Sequence, residues 1–268
     1  ICIRLYSESD FEKRVEFSIP EIQRSNLAEV ILRMEAAKLG DIETFPFIDP
    51  PSTAAIKSGY ALLRDLGAID DKRKLTPIGR KLAKLPIDPT AGLMLLQAER
   101  EGVVEQVLVI ASALSIQDPR ERPVGKEEAA RAAHKQFVHR ESDFLTLLNI
   151  WEAAYEEFER LTQNKLRKFC KKHFLSYLRI REWIDVKRQL SRSLAEFEKR
   201  HKISHRTPEY KNPKEKSELR KFGGLEFRSI HVSLATGLLA NPGRKEEPNI
   251  YLSTGNRKAM IFPGSGLF

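Results

Sequence analysis

The sequence has little cysteine and lacks the motifs on which metal, phosphate and nucleophile chemistry depends. Its two cysteines, Cys2 and Cys170, stand far apart and outside any Cys-His cluster, which excludes a disulfide framework and a tetrahedral zinc site. Such usage fits a reducing, cytoplasmic setting. No run of about 18 apolar residues occurs, and the opening residues lack a charged region followed by an apolar one, so neither membrane insertion nor export is expected. No G-x-x-x-x-G-K-S/T loop is present to cradle a phosphate, no D-E-x-D/H strand end to hold magnesium, and no glycine-rich dinucleotide turn. ATP hydrolysis is therefore not housed in these residues. The six histidines, at 134, 139, 173, 201, 205 and 231, fall in no metal-ligand spacing, and no serine or cysteine lies in a nucleophile elbow. His134 and His139 read as capping or packing residues. Asp49, Asp88, Asp118, Asp143 and Asp185 stand mostly at helix starts or turns, where carboxylates satisfy free N–H groups, so no acid/base pair is assigned. We assign no catalytic residue and no metal site.

What the chain does have is apolar content and positive charge. Hydrophobic residues make up 41%, enough for ordinary cores, and the net charge of +9 points to an anionic partner. That charge is concentrated. Residues 160–221 hold 20 Lys and Arg against 7 Asp and Glu, a local +13 that leaves the rest of the chain near −4. Arg167-Lys168 and Lys171-Lys172 recur at helical spacing, so one helix face presents a stripe of cations while Leu166, Phe169 and Phe174 turn inward. Such a stripe suits phosphates, although a solvated helix face needs nothing more than solubility.

Along the chain the periodicity is mainly helical. Residues 1–6 read as a strand with nothing before it to pair with, so the chain is expected to be a fragment. Residues 8–14 read as a short helix or turn, and helices are expected from Pro20 through 26–34 to Gly40, from a Ser52 cap to Gly67, and from Pro77 to Leu85. Residues 68–76 form a small two-stranded wing. Together they form a winged-helix module, a unit that binds nucleic acid in some proteins and acts as a spacer or protein contact in others. A bundle follows, with helices over 89–101, 103–114, 126–137 and 143–158 and one long run over 164–199. Residues 202–224 are polar and basic and read as a mobile loop or a frayed pair of helices. A further helix spans 227–239, and strands over 249–253 and 258–262 flank a turn at Thr254-Gly255-Asn256. Trp151, Tyr155, Tyr177 and Trp183 share the spacing of apolar neighbours and read as core rather than as stacking platforms.

Several strings carry a resemblance that extends over nearly the whole chain. They are Ile3-Arg4-Leu5-Tyr6-Ser7-Glu8-Ser9-Asp10-Phe11, Pro20-Glu21-Ile22-Gln23-Arg24-Ser25-Asn26-Leu27, Phe45-Pro46-Phe47-Ile48-Asp49-Pro50-Pro51, Leu75-Thr76-Pro77-Ile78-Gly79 and Leu85-Pro86-Ile87-Asp88-Pro89. The most diagnostic is Ala113-Leu114-Ser115-Ile116-Gln117-Asp118-Pro119-Arg120-Glu121-Arg122-Pro123, with Phe174-Leu175-Ser176-Tyr177-Leu178-Arg179 and Ile261-Phe262-Pro263-Gly264-Ser265 beside it. These resemble the helicase-associated region of DEAH-box RNA helicases of the bacterial HrpA type.

The resemblance implies a mainly α chain: the end of a second RecA-like domain (1–19), a winged helix (20–88), a ratchet-like helical domain (89–240) and the start of an OB-fold (241–268). It implies single-stranded RNA and the RecA-like domains of the same polypeptide as partners, with ATP and magnesium held by those domains and no cofactor held here. A tunnel that passes every sequence must grip phosphate and sugar rather than base edges. Ser115, Gln117, Arg120 and Arg122 suit that grip, with Asn149, Arg167, Lys168, Lys171, Lys172 and Ser265 as further candidates. The other reading of Arg120 is a pairing with a neighbouring carboxylate. The other reading of the chain is a docking platform for helicase cofactors or ribosome-associated proteins.

Overall fold

The structure is a computed structural model that describes residues 5–14, 20–24, 26–85, 87–160, 163–201, 224–239 and 242–268. The expected segment at 202–224, apart from Gly224, and most of the expected first strand lie outside the described residues. Leu5 and Tyr6, which are described, form a bend and not a strand. The chain divides into two compact units, residues 1–79 and 80–268.

The first unit holds helices α1 (Glu8–Glu12), α2 (Glu21–Arg24), α3 (Ala28–Ala37) and α4 (Thr53–Asp65), and α5 (Pro77–Leu82) starts near its end. Ser52 Oγ caps α4 by accepting from the Ala55 amide at 3.2 Å, and Asn26 Oδ1, in the turn that leads into α3, accepts from the Ala28 amide at 2.8 Å. Their apolar faces, Ala28, Ile31 and Leu32 against Ile56, Tyr60 and Leu63, make the core. Gly59 permits the close approach, because a Cβ there would lie 2.7 Å from Ile31 Cδ1 and 3.2 Å from the Ala28 nitrogen. The expected wing is reduced to one antiparallel bridge, Ile69 to Leu75. Asp70 shapes its turn by accepting from the amides of Lys72 (2.9 Å) and Lys74 (2.8 Å).

The second unit contains α6 (Pro89–Glu101), α7 (Val104–Leu114), α8 (Glu127–His134), α9 (Asp143–Arg160), α10 (Gln163–Lys172), α11 (Tyr177–His201) and α12 (Gly224–Leu238). Asp88 caps α6 by accepting from the Thr90 and Ala91 amides, and Gly102 ends it in the left-handed region at φ 72°. Helix α7 buries residues 107–113 without interruption, which fits its place between α6, α9 and α11. Trp183, fully buried on α11, ties that helix to α7. Its Nε1–H reaches the Val109 carbonyl at 2.9 Å and Ser112 Oγ at 3.0 Å. Trp151 on α9 packs against it at 5.2 Å, so both tryptophans are core residues. Helix α12 lies close along α6 at Gly237, where a Cβ would stand 2.7 Å from Met94 Cε and 2.8 Å from the Thr90 carbonyl oxygen. No helix among the described residues is long and apolar enough to cross a membrane.

Two expectations need correction. The run over 164–199 is two helices, α10 and α11, separated at residues 173–176. The C-terminal sheet has three antiparallel strands, not two, in the order β1 (Gly243–Glu247), β2 (Ile250–Ser253) and β3 (Arg257–Met260). Strand β1 is fully exposed and reads Gly-Arg-Lys-Glu-Glu, so no alternation of apolar residues announces it.

Candidate nucleic-acid interface

The break between α10 and α11 and the loop that follows α7 are built as one piece. Helix α10 ends in a Schellman arrangement, with the Leu175 amide donating to the Cys170 carbonyl at 2.9 Å and the Phe174 amide to Lys171 at 3.5 Å. Phe174 occupies the left-handed position, φ 51°, that usually falls to glycine. The chain then runs antiparallel to the loop. Arg120 and Leu175 form a bridge, the Glu121 amide donates to the Phe174 carbonyl at 2.8 Å, and the Ser176 amide donates to the Pro119 carbonyl at 2.8 Å. Arg179 Nη1 adds a bond to the Asp118 carbonyl at 2.9 Å. From below, His134 at the end of α8 reaches the Phe174 carbonyl at 2.9 Å. The carbonyl can only accept, so His134 Nε2 carries the proton.

Within the loop, Asp118 holds Arg120. Nε of Arg120 lies 3.0 and 3.1 Å from the two carboxylate oxygens and Nη2 lies 2.7 Å from Oδ2, while the Arg120 amide donates to Oδ1 at 2.9 Å. Partial burial of Asp118 opposes its charged form. The hydrogen bonds from Arg120 and the charges of Arg120 and Arg122 outweigh it and hold the carboxyl below its ordinary value. His134 is pushed the other way for an imidazole, down. Burial is the main cause and the Arg120 and Arg122 charges add to it, against the Phe174 carbonyl and Asp118. His173 is also lowered, by burial first and then by Lys172 and His134. Its Nδ1 faces Gln136 Nε2, a donor, at 2.7 Å.

The predicted residues separate into three groups. Ser115, Gln117 and Arg122 are exposed on the loop, although the Ser115 hydroxyl already donates to the Ala111 carbonyl at 2.9 Å. The Arg122 guanidinium lies over the Phe262 ring at 4.8 Å, whereas the Arg120 side chain is only 13% exposed and engaged with Asp118. Arg167, Lys168, Lys171 and Lys172 are exposed together on α10, with Lys165 beside them and no carboxylate on that helix. Leu166 and Cys170 are buried on its opposite face. Arg167 also covers the Tyr177 ring at 4.9 Å.

Asn149 and Ser265 stand apart from these surfaces. Asn149 is 2% exposed, its Nδ2 donates to the Phe137 carbonyl at 2.9 Å, and its Oδ1 has no hydrogen-bond partner. Ser265 Oγ donates to Asp143 Oδ2 at 2.5 Å and the Gly266 amide to Asp143 Oδ1 at 3.0 Å, so the segment after β3 is docked on the first turn of α9. Asp143 therefore does more than start its helix. The contributions of His134, Phe174 and Arg179 to the loop could not be read from spacing, because each acts across 40 residues or more of sequence.

Comparison with known proteins agrees with this architecture. Residues 61–87 match the family described as helicase associated domain (HA2), winged-helix, and residues 88–147 match helicase associated domain (HA2), ratchet-like. The chain thus carries a helicase-associated module, a winged helix followed by a ratchet-like helical part. Over its full length it is 44% identical to the ATP-dependent RNA helicase HrpA of Escherichia coli (strain K12) and to the HrpA homolog of Haemophilus influenzae. It is 37% identical over 194 residues to the probable ATP-dependent RNA helicase DHX34 of Homo sapiens, an alignment that covers 72% of this chain and 17% of that protein. The chain spans about a fifth of the length of the two bacterial relatives, 20% of each. It belongs to the DEAH-box helicases of the HrpA type, as their helicase-associated region.

Proposed function

We propose that this chain is the accessory RNA-gripping module of an ATP-dependent RNA helicase, and that it holds single-stranded RNA by its backbone. The observation that carries the reading is helix α10, with five exposed cations and no carboxylate, running into a break that is hydrogen-bonded to the 118–121 loop. A surface of this kind neutralises phosphates without reading bases, as a sequence-tolerant channel requires. Ser115, Gln117 and Arg122 supply hydroxyl, amide and guanidinium groups for sugar and phosphate. Arg120, engaged with Asp118, shapes the loop from within rather than facing the strand. ATP and magnesium act in the RecA-like domains of the same polypeptide, and this chain contributes grip and not hydrolysis. Residues 242–268 are in this reading the opening strands of an OB-fold.

The test is photo-cross-linking of a 4-thiouridine-substituted single strand to the chain, followed by peptide mapping. Cross-links concentrated in residues 115–123 and 163–172 support the reading. Cross-links spread evenly over the surface, or none, overturn it and leave a protein-docking platform as the better account.

A further inference from the structure

We propose that His134 is a positioning residue for RNA, one that sets the conformation of the 118–121 loop without touching the strand. The inference rests on the RNA-gripping reading of that loop and adds to it the element that holds the loop in place.

The argument starts from a backbone outlier. Phe174 is a bulky residue in the left-handed region, at φ 51°. A non-glycine residue there is strained and persists only where its surroundings over-determine it. Those surroundings converge on one atom, the Phe174 carbonyl oxygen. It accepts from His134 Nε2 at 2.9 Å and from the Glu121 amide at 2.8 Å, which uses both of its lone pairs. The Phe174 peptide thus lies between α8 and the loop. His134 fixes the direction of the carbonyl, the carbonyl fixes Glu121, and the neighbouring Ser176-to-Pro119 bond fixes the other side of the same short ladder. The exposed Gln117 and Arg122 flank that ladder in sequence, so their directions follow from it.

His134 suits the task because it is rigid and buried, 6% exposed, and donates from a ring held by packing. Burial, and after it the nearby arginine charges, also disfavours the doubly protonated ring. Removing the donor leaves the Phe174 carbonyl bound to Glu121 alone and free to tilt, and the loop then samples more than one conformation.

The experiment uses the 268-residue chain with three substitutions, His134→Ala, His134→Phe and His134→Gln. Phenylalanine fills the site without a donor, and so stands in if alanine prevents folding. Glutamine restores an N–H. Two readouts are taken: amide hydrogen exchange at Glu121 and Ser176, and affinity for a single-stranded RNA. The proposal expects exchange at both amides to rise at least tenfold in the alanine or phenylalanine variant, RNA affinity to fall several-fold, and glutamine to recover most of both. Unchanged exchange at Glu121 and Ser176 overturns the positioning role, whatever happens to RNA binding. Loss of affinity that glutamine does not recover, with exchange raised across the whole second unit, marks a merely structural histidine and also overturns it. If the wild-type chain binds no RNA while the amides lose protection as expected, the loop-setting role stands and the RNA-gripping reading fails.

Discussion

Trp183 joins the two helices from which the candidate interface departs, α7 leading into the loop and α11 leading out of the break. Substitution by phenylalanine removes one N–H that is shared between the Val109 carbonyl (2.9 Å) and Ser112 Oγ (3.0 Å). Such a bond contributes about 1 kcal/mol net. The smaller ring also leaves part of a fully buried site unfilled, beside Trp151 at 5.2 Å, which costs about 1–2 kcal/mol more. Ser112 keeps its own donor contacts to the Leu108 and Val109 carbonyls at 2.8 Å, so its hydroxyl is not stranded. The sum is about 2–3 kcal/mol, or about 5–10 °C of melting temperature for a unit of this size. Trp183→Ala should cost about 5 kcal/mol. Thermal unfolding followed by far-ultraviolet circular dichroism measures both. Near-ultraviolet spectra should lose the signal of the paired tryptophans, since the chain has only these two. A shift of less than about 1 °C for Trp183→Phe would refute the buried, bonded indole and with it the α7–α11 junction.

Four further outcomes follow from the same packing and electrostatics. Asp118→Asn should destabilise the second unit by about 1 kcal/mol at pH 7, discounted for the 45% exposure of the Asp118 side chain. Because the folded-state pKa of Asp118 is depressed, its contribution is present above the ordinary value near 3.8 and lost as pH falls below it. The melting-temperature gap between wild type and variant should therefore close in strong acid. His134 is depressed below 6.5, chiefly by burial, so its contribution is complete above that pH and declines as pH falls below it; an NMR titration of its ring should give a midpoint lower in the folded chain than in the urea-unfolded chain. Cys170, buried and pushed up to about 11, should resist thiol reagents in a Cys2→Ser background until the protein unfolds. Gly237→Val should cost about 1–3 kcal/mol by forcing α12 from α6, read as a lower unfolding midpoint in urea.

How much of this was legible in the sequence depended on whether the determining contact was local. Ser52 and Asp88 announced the starts of α4 and α6, and the structure shows each side chain accepting from the amides it faces. The apolar periodicity placed Trp151 and Trp183 inside. The break at 173–176 escaped notice because its stop signal is normally glycine or asparagine, and here Phe174 takes that conformation. What holds it is a ladder to residues 119–121, more than 50 positions away, which no local pattern encodes. For the candidate site, the α10 cations were readable from spacing alone. The commitment of Arg120 to Asp118 was foreseen only as one of two readings, since i and i+2 neighbours in a turn can either pair or diverge. Asn149, a candidate contact by sequence, is buried with its Nδ2 on the Phe137 carbonyl, a partner that spacing does not reveal.

The central claim is that α10 grips phosphates, and the salt dependence of RNA binding tests it most directly. Fluorescence anisotropy with a labelled single strand should give log Kd rising with log salt concentration with a slope of about 3 from the four cations Arg167, Lys168, Lys171 and Lys172, at about 0.7 per neutralised phosphate. Affinity should then fall about 50-fold between 50 and 200 mM salt. Replacing all four by alanine should remove most of that slope while leaving the melting temperature within about 3 °C, because these side chains are exposed. Weak, salt-insensitive binding by the wild type, or a slope unchanged in the fourfold variant, would contradict the account.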